Sequence, residues 1–250
     1  MNGSSLNEPE RLARIRVVLV EPAHPGNIGA AARALKTMGL SRLVLVRPVR
    51  FPDRAASAMA SNALDILAGA RVCDTLDEAL AGTALSIALS ARHRDLSHPA
   101  LDARGAATEL VAAAERDDVA VVFGNETAGL SNEDVMKCNR LARIPADPEY
   151  SSLNLAQAVQ VVCYEVRMAF AGPAPDRGSR TEYARHEDVE KFFEHLERSL
   201  HGSGFLDAGN PRRLMERLRR LFARARLERE EVNILRGMLT AWDEGRRLKK

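Results

Sequence analysis

An α/β fold on a mostly parallel sheet, followed by a small C-terminal helical domain, is what this sequence predicts, and three observations carry that expectation. Strand-like apolar runs at Ile15 to Val20, Arg42 to Val46, Ala84 to Leu89, Val119 to Phe123 and Leu141 to Ile144 alternate with helical patterns. From Gly172 to Arg185, Pro, Gly, Ser and charged residues interrupt that alternation as a linker does. Beyond it the apolar residues recur at helical spacing throughout. The expected boundaries are therefore 1–171 for the first domain, 172–185 for the linker and 186–250 for the helical extension.

Each element has a local reason. A helix from Asn27 to Met38 should stop at Gly39, which tolerates the left-handed turn of a helix C-terminus. Thr75-Leu76-Asp77-Glu78 reads as a capping box, and Ser131-Asn132-Glu133-Asp134 opens another short helix. The helix from Leu153 to about Phe170 is apolar around much of its circumference, so it belongs in the core or at a subunit interface. In the extension, three stripes predict three helices: Phe192, Phe193, Leu196 and Leu200; Leu214, Leu218, Leu221 and Phe222; Leu235, Met238, Leu239 and Trp242. Gly202-Ser203-Gly204 and Asn210-Pro211 punctuate the first two, with Pro211 suited to a first helical position.

Composition narrows the class. A chain of 250 residues, 46% hydrophobic and 28% charged, can bury one good core and append a smaller unit. The N-terminal residues lack the apolar core of a signal peptide, and no apolar run approaches the roughly 20 residues that span a bilayer, so a soluble cytoplasmic protein with no membrane partner is expected. Cys73, Cys138 and Cys163 are odd in number and lack Cys or His partners at metal-ligand spacing, which reads as three reduced packing residues and no metal site. The net charge of +2 hides an asymmetry, since residues 172–250 carry 18 Lys and Arg against 14 Asp and Glu. Arg212, Arg213, Arg217, Arg219, Arg220, Arg224 and Arg226 fall within one expected helix opposed only by Glu216. Such a run is either a solvated face or a surface for phosphates.

Two loops carry the chemistry. Phe123-Gly124-Asn125-Glu126-Thr127-Ala128-Gly129-Leu130 and Pro148-Glu149-Tyr150-Ser151-Ser152-Leu153-Asn154-Leu155 each leave a strand and enter a helix. Singly, a Gly after a strand is a turn and Ser-Ser before a helix is a cap. The common cofactor and hydrolase signatures are missing: no G-x-G-x-x-G after the first strand, no Walker loop, no H-E-x-x-H and no G-x-S-x-G. Gly26-Asn27-Ile28-Gly29 could hold an anion at a helix start, but no Lys-Ser/Thr follows it.

With a third segment, His24-Pro25-Gly26-Asn27-Ile28-Gly29-Ala30-Ala31-Ala32-Arg33-Ala34, these loops resemble the three motifs of the SPOUT-class RNA 2′-O-methyltransferases, over about the first 170 residues. The resemblance implies S-adenosylmethionine as methyl donor, a homodimer with the site built across two subunits, and a C-terminal trefoil knot around Gly124, Pro148 to Leu153 and the helix after them. Ala34 to Leu40, Ala146 to Met168 and Asn233-Ile234-Leu235-Arg236-Gly237 are similar to the branch of that class that methylates the ribose of nucleotide 32, cytidine or uridine, in the tRNA anticodon loop. The alternatives are a class relative acting on ribosomal RNA or another tRNA position, and a noncatalytic RNA-binding module.

Carried over position by position, the resemblance places Leu89, Ser90, Ala91, Gly124, Ile144, Ser151, Ser152 and Leu153 against the donor. Leu89 stands where a Thr is expected and Asn125 where relatives often have Arg. At Gly124 the motif sets backbone against the donor, so a side chain there should obstruct the pocket with little change in stability. Arg33, Arg94, Ser152 and Asn27 are the catalytic candidates. The family often assigns the motif-one Arg a role as base, but a guanidinium has no acceptor and a pKa above roughly 12, which favours Arg33 as a cation for the developing alkoxide. Glu126 reads as structural, bonding backbone N–H groups. Arg213, Arg217, Arg220 and Arg224 recur at helical spacing and should face tRNA phosphates, with Leu214, Leu218 and Leu221 turned toward the core.

Overall fold

The computed structural model describes residues 7–91, 100–171, 182–207, 209 and 213–247. Its elements are α1 (Glu8–Leu12), β1 (Ile15–Val20), α2 (Pro25–Thr37), β2 (Arg42–Val46), α3 (Arg54–Ala60), a 3-10 turn (Ser61–Ala63), α4 (Leu64–Ala68), β3 (Arg71–Cys73), α5 (Leu76–Leu80), β4 (Thr83–Leu89), β5 (Ala100–Asp102), α6 (Ala103–Ala113), β6 (Asp118–Phe123), α7 (Asn132–Met136), β7 (Arg140–Arg143), α8 (Leu155–Ala171), α9 (His186–Ser203), α10 (Leu214–Ala225) and α11 (Arg229–Arg247).

The strands form one seven-stranded sheet in the order β3-β2-β1-β6-β4-β7-β5, and every pairing is parallel. Successive side chains of β1 go to opposite faces: Val17 and Leu19 join the core under α2, α6 and α8, while Val18 and Val20 join the one under α5 and α7. Burial on both faces explains why these strands read as continuous apolar runs rather than alternating ones. The two strands that the runs do not show, β3 and β5, have three residues each and end the sheet, where most of their positions stay open.

Strand β6 enters between β1 and β4, β7 then enters between β4 and β5, and α8 packs on α2 and α6. The segment 92–99, between β4 and β5, lies outside the described residues. Helix α2 ends as expected: Gly39 takes φ +82° and lets Leu40 N–H reach Leu35 O at 2.9 Å. Ser131 and Asp134 form a full capping box, whereas Glu78 bonds Asp74 N–H at 3.2 Å, one residue before the cap Thr75. The three cysteines are buried and free, and burial pushes the thiols of Cys138 and Cys163 up to about 12.

Helix α8 turns Leu155, Val159, Val162, Cys163 and Val166 inward and leaves Tyr164 and Met168 exposed. In the helical unit the stripe on α9 is buried as expected, and the rings of Phe192 and Phe193 meet Phe222 of α10. Two stripes need correction. On α10 the inward row is Leu214, Leu218 and Phe222, spaced by four, and Leu221, a further 100° round the helix, is 49% exposed. On α11, Val232, Leu235 and Leu239 face inward, while Met238 and Trp242 lie exposed. Helix α10 begins at Leu214 with Arg213 as its cap, and Pro211 lies outside the described residues. Of the expected linker, 172–181 lie outside them too, while Ala184 is buried and its N–H donates to Leu227 O at 2.9 Å.

The helical unit seats on the N-terminal edge of the sheet. Glu187 accepts from Gly82 N–H at 2.9 Å, Arg185 donates to Gly82 O at 2.7 Å, and Arg140 at the start of β7 donates to Ala223 O at 3.0 Å. His186 Nε2 and Lys137 Nζ lie 2.9 and 2.7 Å from the two carboxylate oxygens of Asp77. The His186 bond, with Lys137 adding to it against burial, holds the Asp77 carboxyl well below the usual carboxylate range. At the same edge Arg16, buried, donates to Ala79 O and Ala81 O and pairs with Asp118 at 2.8 Å.

Candidate active site

Parallel strands deliver all their C-terminal ends, and the loops that leave them, to one edge. There the loops after β6 and β7 and the end of β4 close around a cavity of about 340 Å³. Leu89, Ser90, Ala91, Gly124, Ile144, Ser151, Ser152 and Leu153 all line it, so the structure brings together every residue that the resemblance places against the donor. Register explains the meeting: Leu89 pairs with Ala142, Ser90 N–H donates to Ala142 O at 3.1 Å, and Leu19 pairs with Phe123.

Gly124 has a different reason from the expected one. A Cβ there would stand 2.1 Å from Leu130 N and 2.2 Å from Gly129 C, because the loop folds back on its own backbone. The glycine is required by the loop as well as by the cavity it borders. A side chain at this position therefore breaks the loop itself, which corrects the expectation of an obstructed pocket in an otherwise unaffected fold.

The side chains after Gly124 tie the loops together. Asn125 Nδ2 donates to Glu21 O at 2.7 Å, and its Oδ1 accepts from Thr127 and Ala128 N–H at 2.8 and 3.2 Å. Asn125, left without an assigned role by the resemblance, thus shapes the loop and anchors it to the end of β1. Glu126 accepts from Ala23 N–H at 2.8 Å, His24 N–H at 3.2 Å and Asn27 Nδ2 at 2.8 Å. Burial works to raise its pKa, and the bonds from Asn27 and the two N–H groups more than offset it, leaving the carboxyl below its ordinary value. A carboxylate so occupied bonds backbone, as its sequence position suggests.

Asn27 Oδ1 in turn accepts from Asn154 Nδ2 at 3.0 Å, which joins the third loop to the other two. Asn154 is the residue that sequence reasoning passed over, although it lies inside the quoted motif. Its Oδ1 also accepts from Ala156 N–H at 2.8 Å at the start of α8, and an Asn at a helix start was the available signal.

Of the remaining catalytic candidates, Arg33 does not reach the cavity of its own chain. Arg33 is exposed on α2, makes no side-chain hydrogen bond or ion pair with the described residues, and does not line the cavity. It stands about 12 Å along the helix from Pro25. Arg94 lies outside the described residues. On α10, Arg213, Arg217 and Arg224 are exposed and Arg220 is half-buried. Two other arginines of the run serve the fold: Arg219 forks onto Glu190 at 2.7 and 2.8 Å and lies over Phe193, and Arg226 lies 3.8 Å above the Tyr183 ring, where burial lowers its pKa. The unit that carries them sits on the sheet edge opposite the cavity.

The cavity suits S-adenosylmethionine. Phe123, Ile144, Leu155 and Ala158 supply apolar surface for an adenine, and Ser90, Ser151, Ser152 and Thr127 bring hydroxyls. Among the described residues its one lining carboxylate, Glu126, is occupied by three N–H groups, which is compatible with a sulfonium that needs no dedicated counter-anion.

This sheet, with its loop-built cavity at one edge, is that of a SPOUT methyltransferase, and with residues 14–164 matching the model of the SpoU rRNA Methylase family, the chain belongs to that family. Residues 187–250 match a second model, the tRNA methyltransferase TrmJ C-terminal domain, which places it in the TrmJ branch. A tRNA (cytidine/uridine-2′-O-)-methyltransferase TrmJ of Cronobacter sakazakii is 49% identical over 241 residues, 94% of this chain and 98% of that protein. A tRNA (cytidine/uridine/adenosine-2′-O-)-methyltransferase TrmJ of Pseudomonas aeruginosa is 51% identical over 240 residues, 92% of this chain and 93% of that protein. Among solved structures, TrmJ from Z. mobilis ZM4 superposes with a TM-score of 0.80 at 34% identity, over 91% of this chain and 98% of that one.

Proposed function

We propose that this chain is an S-adenosylmethionine-dependent tRNA 2′-O-methyltransferase that modifies the ribose of nucleotide 32, cytidine or uridine, in the anticodon loop, acting in the cytoplasm as a homodimer. The observation that carries the reading is the convergence of the loops after β6 and β7 and the end of β4 on one cavity, beside which the Glu126–Asn27–Asn154 hydrogen bonds lock three loops together. The named TrmJ relatives act on tRNA at cytidine and uridine, and near-complete coverage of both chains supports the same chemistry here. The choice of nucleotide 32 rests on the resemblance of the Asn233 to Gly237 and Ala146 to Met168 segments.

When bound, the donor supplies an electrophilic methyl group. Ser151 and Ser152 border the cavity and present hydroxyls to the incoming ribose, and Asn27, held by Glu126 and Asn154, fixes the start of α2. Arg33 stabilises the negative charge that grows on the ribose oxygen as its proton leaves, an interaction made only in the transition state. Arg33 does not line the cavity of its own chain, which fits its presentation by a second copy. Its exposure on α2, and that of Tyr164 and Met168 on the adjoining α8, supports a two-copy site. The exposed arginines of α10 hold tRNA phosphates away from the reacting nucleotide.

The test is to incubate the purified chain with labelled S-adenosylmethionine and tRNA transcripts and to map ribose methylation. Label at nucleotide 32 alone supports the reading. Label elsewhere in tRNA or in ribosomal RNA supports the class relative, and none, with S-adenosylhomocysteine failing to bind, supports a noncatalytic module.

A further inference from the structure

The turn between β2 and α3 leaves the same sheet edge as the donor cavity and contributes nothing to its lining. Val49 N–H donates to Pro22 O at 3.2 Å, which pins this turn to the loop whose next residues, Ala23 and His24, bond Glu126. A Cβ on Gly26 would meet Met59 Cγ at 3.6 Å, so α3 also lies beside the helix start that carries Asn27. Strand β2 stands two positions from β6 in the sheet, which puts the ends of the two strands about 10 Å apart at a strand spacing near 4.8 Å.

Arg50 and Arg54 are exposed on this turn and at the start of α3, and neither makes a hydrogen bond or ion pair with the described residues. The acids beside them are occupied: Glu21 pairs with Arg47 at 2.9 Å, and Asp53 accepts from Ala55 N–H at 2.7 Å. Two free guanidinium groups next to a cleft that receives a ribose suit the phosphates flanking that ribose, which their planar forks can grip in pairs. The arginines of α10 cannot do this for the cavity of their own chain. Their helix docks at the start of β7, where Arg140 donates to Ala223 O, and the four residues of β7 set that end about 13 Å from Ile144 of the cavity.

Resting on the tRNA reading above, we infer that Arg50 and Arg54 form a phosphate-binding rim that holds the tRNA strand beside the nucleotide being methylated. The rim supplies position and affinity; the base is read elsewhere.

The experiment compares the full chain with the R50E/R54E double variant and with R50K/R54K, measuring tRNA affinity across salt concentration, kcat and KM for tRNA, and S-adenosylhomocysteine affinity. Two lost contacts should cut the log–log salt slope by between one and two and raise KM at least about tenfold, with kcat at saturating tRNA and S-adenosylhomocysteine affinity within about twofold. R50K/R54K should keep most of the slope, because charge survives without the fork. An unchanged slope and KM in R50E/R54E overturns the rim. A parent chain that binds tRNA but transfers no methyl group counts against the proposed reaction alone, with the slope still deciding on the rim.

Discussion

The two edges of the sheet use the same kinds of side chain for opposite ends. At the N-terminal edge polar groups are matched inside the chain: Asp77 with His186 and Lys137, Arg16 with Asp118, Glu187 with Gly82. Two of them, His186 with Asp77 and Glu187 with Gly82, seat the helical unit. At the C-terminal edge Asn27, Asn125, Glu126 and Asn154 bond one another's loops, while Ser151, Ser152, Arg50 and Arg54 stay exposed. Rigidity there surrounds groups left free for a ligand. Charge alone therefore does not mark function in this chain; the arginines that matter for a partner are those whose neighbours have not already claimed them.

The contrast can be broken most severely at Gly124. Gly124→Val should abolish S-adenosylhomocysteine binding and lower Tm by about 5 °C or more, since overpacking against backbone costs at least about 2 kcal/mol. Calorimetry and a thermal melt check both, and an unchanged Tm would show that the loop can open without cost. Next in size is Arg33→Ala, expected to lower kcat at least about a hundredfold with donor affinity nearly intact, because the charge it meets exists only during transfer. Turnover close to that of the parent would remove Arg33 from the chemistry.

Asn125→Ala should weaken donor binding by about tenfold through loss of the loop anchor, whereas Asn125→Asp, which keeps the acceptor for Thr127 and Ala128, should fall between the two. Equal affinities for all three proteins would make the anchor irrelevant to the donor. On the opposite edge, R217E/R224E is expected to reduce tRNA affinity several-fold and flatten its salt dependence while leaving donor binding untouched. The smallest effect is that of acid. Glu126 and Asp77 both have lowered carboxyl pKa values, so the stability they add is complete above their ordinary values of 4.5 and 3.8 and is lost as pH falls through the lower folded values. Melting temperature should hold between pH 6 and 8 as far as these groups decide it, and decline only below about pH 5, less steeply in Asp77→Asn than in the parent. An Asp77→Asn decline as steep as the parent's would deny Asp77 that part.

Much of this was legible in the residues. Long apolar runs disclosed five strands because both faces are covered, and the resemblance of the loops at the strand ends, rather than their composition, pointed to the cavity. Strands β3 and β5 were hidden by being short and lying at the borders of the sheet, where apolar content is not demanded. The glycine at 124 was visible, but what it approaches is not local information: Gly129 and Leu130 come back against it only once the loop is closed. Leu221 and Leu218 look equivalent in a stripe, and only the position of α9 decides which one is covered. Strand order, and with it the separation of the α10 arginines from the cavity, is a property of the assembled sheet.

The division of labour between the edges is tested most directly by hydrogen exchange with and without S-adenosylhomocysteine. Amides of 123–130 and 144–155 should gain protection when it is added, with 182–207 and 213–227 exchanging as before. Protection centred on the helical unit, or none in the loops after β6 and β7 at saturating ligand, would contradict the assignment of the donor to the C-terminal edge.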